Sequence, residues 1–196
     1  RDTNVMRPPS SRPVPTGAAH ARHDLPGPTK EFPSGDDRDA RTSMTIEINN
    51  ESTIEIDETR VLRLVEYILG AMHVSPDAEL AIVLVDEGAM EALHVQWMDE
   101  PGPTDVLSFP MDELRPGTDD APTPPVLLGD IVLCPQVAET QALAAGHSPL
   151  DELLLLTTHG LLHLLGFDHA EPEEEREMFG LQRELLQGFV ASERRR

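Results

Sequence analysis

Residues 158–170 read THGLLHLLGFDHA, with three histidines set among leucines. Leucines on almost every side predict a buried helix that runs from Pro149 to Leu165. A buried polar group without a partner costs about 2–7 kcal/mol, so these imidazoles need partners. Residues four apart share one face of a helix, and His159 and His163 can therefore reach a single metal ion.

The third histidine follows a glycine turn. Gly166 is typical of the left-handed residue that ends a helix, and Phe167 supplies the apolar contact that accompanies it. The chain reverses there, so His169 can return to the face of the first two histidines. The spacing H-x-x-x-H-x-x-G-x-x-H is that of the metzincin zinc site. For a lone histidine an ordinary core hydrogen bond is the better explanation, but three at this spacing predict a metal centre on His159, His163 and His169.

The residue after the first histidine indicates which class of metal-dependent hydrolase is disfavoured. Zinc peptidases place a glutamate there as general base, and this chain has Gly160. Three imidazoles leave the fourth position of a tetrahedral zinc ion open, as in catalytic sites. Asp105 and Asp168 are the candidate catalytic carboxylates, and turn formation is the alternative role for both. A metallohydrolase of peptides or small molecules would need another carboxylate in place of the missing glutamate.

The composition of the 196-residue chain changes sharply at Met44. Residues 1–43 contain seven prolines and few large apolar residues. Such a segment cannot bury enough surface to offset its ordering entropy, so we expect a disordered N-terminal extension. We also expect Met44 to be the natural start and the preceding residues not to be native. Residues 44–196 are predicted to form one domain.

That domain is strongly acidic, with eight basic and 30 acidic residues after position 43. This balance argues against a generic nucleic-acid binder, because phosphate binding draws on clustered Lys and Arg. The chain has no apolar run long enough to cross a membrane and no recognisable signal peptide. The single cysteine, Cys134, suits a reducing compartment, and we expect a cytoplasmic protein without membrane partners.

Hydrophobic patterning from Met44 onward predicts about four strands and about five helices. Strands are expected at 45–49, 80–85, 106–109 and 126–134. Helices are expected to begin near Asp57, Gly88, Pro135, Pro149 and Pro172. There is no strict βαβ alternation, so the predicted class is α+β, with a small mixed sheet packed against the helices.

Three blocks of sequence together resemble one known family. HGLLHLLGFDH at 159–169, PTDVLSFP at 103–110 and LLGDIVLC at 127–134 occur in the order found in the YbeY family of bacterial endoribonucleases. The similarity spans residues 44–188. The resemblance implies a single-strand-specific, metal-dependent endoribonuclease in 16S ribosomal RNA 3′-end maturation and ribosome quality control. It also implies zinc, or another divalent metal ion, on His159, His163 and His169.

One position departs from the family pattern. Many relatives carry an arginine shortly before PTDVLSFP, whereas this chain has Met98. Arg60, Arg63 and Arg115 are the candidates to replace its contact with RNA. Ribosomal RNA and ribosomal subunits are the implied partners, and docking on a ribosomal protein or an assembly GTPase would add affinity. The alternative function is a ribosome assembly factor with a mainly structural zinc site. The sequence does not indicate an oligomeric state.

Overall fold

The computed structural model describes residues 4–5, 44–112 and 114–195. The predicted disorder of residues 1–43 lies outside the described residues, apart from the two-residue strand at 4–5. The elements are β1 (Asn4–Val5), β2 (Thr45–Asn50), α1 (Glu58–Ala71), β3 (Glu79–Leu84), α2 (Glu87–Met98), β4 (Val106–Pro110), β5 (Leu127–Leu133), α3 (Pro135–Ala145), α4 (Pro149–Leu164) and α5 (Pro172–Glu193). Five helices and a mixed sheet confirm the predicted α+β class.

The sheet has the strand order β1-β4-β5-β3-β2. Strands β2, β3 and β5 are parallel, and β4 runs antiparallel to β5. Alternate residues of β3 face opposite sides, since successive side chains of a strand point to opposite faces. Leu80, Ile82 and Leu84 join the main core with α1, α4 and α5, whereas Val83 joins a smaller cluster with α2. Helix α4 therefore lies on one face of the sheet and α2 on the other.

Polar side chains cap the N-termini of three helices. Asp57 caps α1 by accepting a hydrogen bond from the Arg60 amide, and Ser148 caps α4 through the Asp151 amide. Glu171 and Glu174 form a capping box at the start of α5. The acidic residues Glu171, Glu173, Glu174 and Glu175 thus form the cap and the first turn of α5, where the helix dipole favours carboxylates. No helix in the described part of the chain is long and apolar enough to cross a membrane.

Close contact between α4 and the sheet occurs at Gly160. A Cβ atom at this position would lie 3.0 Å from Ile131 Cγ2 and 3.0 Å from Ser108 Oγ. The Ser108 hydroxyl also donates to the Gly160 carbonyl at 3.2 Å. A side chain at position 160 would therefore press on Ile131 and Ser108, and both would have to shift to admit it.

Candidate metal centre

The C-terminus of α4 is a Schellman turn. Gly166 has a φ of 84°, and its N–H donates to the His163 carbonyl at 3.0 Å. The Phe167 N–H donates to the Leu162 carbonyl at 3.0 Å, which is the longer-range bond of this motif. The sequence prediction of a glycine-terminated helix is confirmed, and the turn brings His169 back toward α4.

The three predicted ligands form one cluster. Each of His159, His163 and His169 offers a ring nitrogen, and these atoms lie within 4.8 Å of one another. The ring centroids are separated by 4.6, 5.3 and 5.1 Å. His159 and His163 are only 4% and 5% exposed, whereas His169 is partly exposed. The cluster is buried on the α4 side and reaches the surface at the turn.

The hydrogen bonds of the two α4 histidines determine their tautomers. His163 Nδ1 lies 2.9 Å from the Phe167 carbonyl oxygen, and His159 Nδ1 lies 3.0 Å from Gln182 Oε1. Both oxygens are acceptors, so the hydrogen of each neutral ring is on Nδ1. Each Nε2 then carries a lone pair. The two Nε2 atoms are 3.0 Å apart. Two facing lone pairs repel each other, and a cation placed between them would remove that repulsion.

The protonation state of the rings suits a metal ion. Burial lowers the pKa of His163 to about 3, and the adjacent His159 ring adds to the shift. Burial also lowers the pKa of His159 below its ordinary value. Both imidazoles are therefore neutral near pH 7, the form that coordinates a metal. The donor set fits the group that the sequence predicts.

Two hydrogen-bond partners of the His159 and His163 rings were not predicted from the sequence. The Phe167 carbonyl belongs to the turn itself, and Gln182 comes from α5, 23 residues beyond His159. A signal for the glutamine exists, since Gln182 interrupts the buried face of α5 formed by Met178, Leu185 and Phe189. Phe179, also on α5, stacks against His159 and His169 with centroid distances of 5.9 and 5.8 Å.

We expect Gln182→Leu to weaken metal binding about tenfold to a hundredfold, because the partner that orients a metal-ligating imidazole contributes this much. Leucine fills a similar volume, so the fold is kept. Gln182→Glu retains an acceptor for His159 Nδ1–H and should retain affinity. Competition against a chromophoric chelator measures the change. Gln187→Leu, at an exposed position of the same helix, is the control, and an equal loss in both variants would contradict the role.

Asp105 lies near the cluster, next to His159. Its Oδ1 accepts from the Val106 amide at 2.8 Å, and its Oδ2 accepts from Gln141 Nε2 at 2.9 Å. Asp105 and His159 line the same small cavity, of about 100 Å³, and Asp105 is 5% exposed. The carboxylate therefore both holds the start of β4 and faces the space beside a predicted ligand.

Asp168 lies in the turn that carries the third histidine. Its Oδ1 accepts from the His169 amide at 2.7 Å, the local role expected of an aspartate in a turn. The side chain lines another cavity, of about 440 Å³, with Arg115 and Phe167. Asp105 thus lines the cavity beside His159, whereas Asp168 lines the cavity beside Arg115 and its charge acts on His163.

The structure separates Met98 from the three arginines that were predicted to replace the RNA contact of the family's arginine. Met98 packs in the cluster on the α2 face, opposite α4. Arg60 Nη2 lies 3.1 Å from Glu193 Oε2, and Arg63 Nη2 lies 3.2 Å from Glu193 Oε1. Arg115 instead lies beside the turn after α4. It is thus the candidate arginine adjacent to the histidine cluster.

The fold and the cluster together define the class of protein. It is a small α+β protein whose buried helix and following turn bring together three imidazole nitrogens that could hold a metal ion, without the glutamate of a peptidase.

A family model described as Endoribonuclease YbeY matches residues 46–190, and the chain belongs to this family. The endoribonuclease YbeY of Clavibacter michiganensis subsp. michiganensis is 76% identical over 153 residues, 78% of this chain and 100% of that protein. The endoribonuclease YbeY of Leifsonia xyli subsp. xyli is 71% identical over 151 residues, 77% of this chain and 99% of that protein. The solution structure of TM1509 from Thermotoga maritima has 27% identity and a TM-score of 0.54, and the match covers 76% of this chain and 92% of that one.

Proposed function

We propose that this chain is a metal-dependent endoribonuclease of single-stranded RNA, with zinc on His159, His163 and His169. The observation that carries the proposal is the convergence of the Nε2 atoms of His159 and His163, 3.0 Å apart, with a third imidazole beside them. Membership of a family of endoribonucleases supports RNA as the substrate. The open side of the cluster, at the partly exposed His169, is where a phosphodiester would enter.

The chemistry divides between the metal ion and the protein. A bound divalent ion supplies Lewis-acid polarisation of a phosphate oxygen and lowers the pKa of water. The Phe167 carbonyl and Gln182 hold two imidazoles in the tautomer that leaves Nε2 free to coordinate. Asp105, which shares a cavity with His159, is our candidate proton acceptor. Asp168 orients the turn through the His169 amide.

The proposed biological substrate is the 3′ end of 16S ribosomal RNA, with a role in maturation and ribosome quality control in the cytoplasm. The three sequence blocks shared with the family support this assignment. An acidic domain binds free RNA weakly, because like charges repel. Docking on a ribosomal protein or an assembly GTPase of the ribosomal subunit would raise the effective concentration of the RNA. Equally tight, salt-insensitive binding to naked RNA and to subunits would contradict this part of the proposal.

Metal removal tests the enzymatic proposal directly. We expect the zinc-loaded protein to cleave a single-stranded RNA internally, and the chelated protein to lose at least a hundredfold in rate, since the metal supplies the main electrostatic stabilisation. Gel analysis of a labelled oligonucleotide measures the rate, and its fully paired duplex is the control substrate. Restored cleavage on adding zinc back is part of the expected result. Equal rates with and without chelator would refute metal dependence.

A further inference from the structure

Arg115 occupies an unusual position in an acidic domain. It is the only lysine or arginine between positions 64 and 175. Its side chain is exposed and lines the 440 Å³ cavity beside Phe167 and Asp168, which we call the Arg115 cavity. Glu174 and Glu177 line the same cavity. Among the residues that the structure describes, no carboxylate lies within ion-pair distance of the Arg115 guanidinium, whereas Arg60, Arg63 and Arg176 all have such partners.

The loop that carries Arg115 is held against the turn of the metal centre. A Cβ atom at Gly166 would lie 2.5 Å from the Leu114 carbonyl oxygen, so backbone meets backbone there. Phe167 lines the Arg115 cavity and also accepts the hydrogen bond of His163 Nδ1 through its carbonyl. The Arg115 cavity and the histidine cluster therefore share one turn of the chain as their common wall.

We propose that the Arg115 cavity is a phosphodiester-binding subsite for the RNA strand next to the metal centre. This inference rests on the proposed function and adds a specific contact to it. A guanidinium presents a planar fork of donors that matches phosphate oxygens. The carboxylates of Asp168, Glu174 and Glu177 line the same cavity and repel phosphate, so a phosphodiester is favoured only beside the Arg115 guanidinium. Carboxylate oxygens can instead accept from a ribose 2′-hydroxyl, the group that distinguishes RNA from DNA.

The test measures binding of a labelled single-stranded RNA to the metal-loaded protein over a series of salt concentrations. Arg115→Ala should weaken RNA binding about tenfold to a hundredfold, because this is the affinity that a hydrogen bond to a charged group contributes. The slope of log K against log[salt] should become shallower by about 0.7, the value for one phosphate contact on a single strand. Arg115→Lys keeps the charge and should keep the slope, with weaker binding than the wild type. Glu177→Gln removes a repulsive charge and should tighten binding.

Arg194→Ala is the control, because it removes the same charge at the C-terminal end of α5, about 25 Å along the helix from Glu177 of the Arg115 cavity. It should leave both the affinity and the slope nearly unchanged. In cleavage assays Arg115→Ala should raise KM and leave kcat nearly unchanged, as for loss of uniform binding. Equal effects of Arg115→Ala and Arg194→Ala would overturn the subsite. Failure of the wild type to cleave any single-stranded RNA would refute the proposed function, and the binding comparison would still decide whether Arg115 contacts a phosphate.

Discussion

His163→Ala is expected to abolish metal binding and RNA cleavage together. The Nε2 atom of His163 lies 3.0 Å from that of His159, and removing it leaves two imidazoles to hold the ion. We expect metal content to fall from about one ion per chain to near zero, and cleavage to fall at least a hundredfold, to the level of chelated wild type. Elemental analysis by mass spectrometry measures the metal, and a labelled single-stranded RNA reports the cleavage.

A second variant separates catalysis from folding. Alanine leaves the Phe167 carbonyl without its donor, which costs about 1–3 kcal/mol if no water replaces it. His163→Gln retains an amide donor of similar size, so the fold is kept while the ligand is lost. His73→Asn, at a partly exposed histidine paired with Asp119 and with a φ of 53° that asparagine tolerates, is the control and should change neither metal content nor rate. If His163→Gln loses metal and stability but the wild type never cleaves RNA, the site is structural and the assembly-factor alternative is correct.

Gly160→Glu, which introduces the peptidase glutamate, is expected to destabilise the domain strongly. The new side chain would enter the space occupied by Ile131 Cγ2 and Ser108 Oγ, both 3.0 Å from the position of its Cβ. Overpacking of a core costs about 1–3 kcal/mol, and an unpaired buried charge costs several more. The sum is at least about 4 kcal/mol, comparable with the whole stability of a small domain, which is about 5–15 kcal/mol. Urea unfolding followed by circular dichroism measures the loss.

The matched control is Gly70→Glu. Gly70 also lies in a helix, but an added Cβ would have no atom within 4 Å. This variant should stay within about 1 kcal/mol of the wild type, because only helix propensity and surface charge change. A folded Gly160→Glu protein that hydrolyses peptides would show that glycine is required neither for packing nor for the choice of substrate.

Most of the secondary structure could be predicted from local patterns. The leucine periodicity of α4, the glycine after Leu165 and the acidic start of α5 each reflect the geometry of a few successive residues. The same holds for the pair His159 and His163, since residues four apart always share a helix face. Local patterns could not assign Met98, because the sequence does not reveal which face of the sheet α2 covers. The structure places it in the cluster opposite α4.

By itself the sequence determined the α+β class, the helix that carries two histidines, and the turn that returns the third. These depend on backbone geometry over a few residues, and spacing alone encodes them. Only the tertiary structure decided that Gln182 orients His159, that Gly160 packs on β4 and β5, and that Arg115 lies beside the turn. Each of these contacts joins segments at least 20 residues apart, and such contacts depend on how the helices and strands pack rather than on the local order of residues.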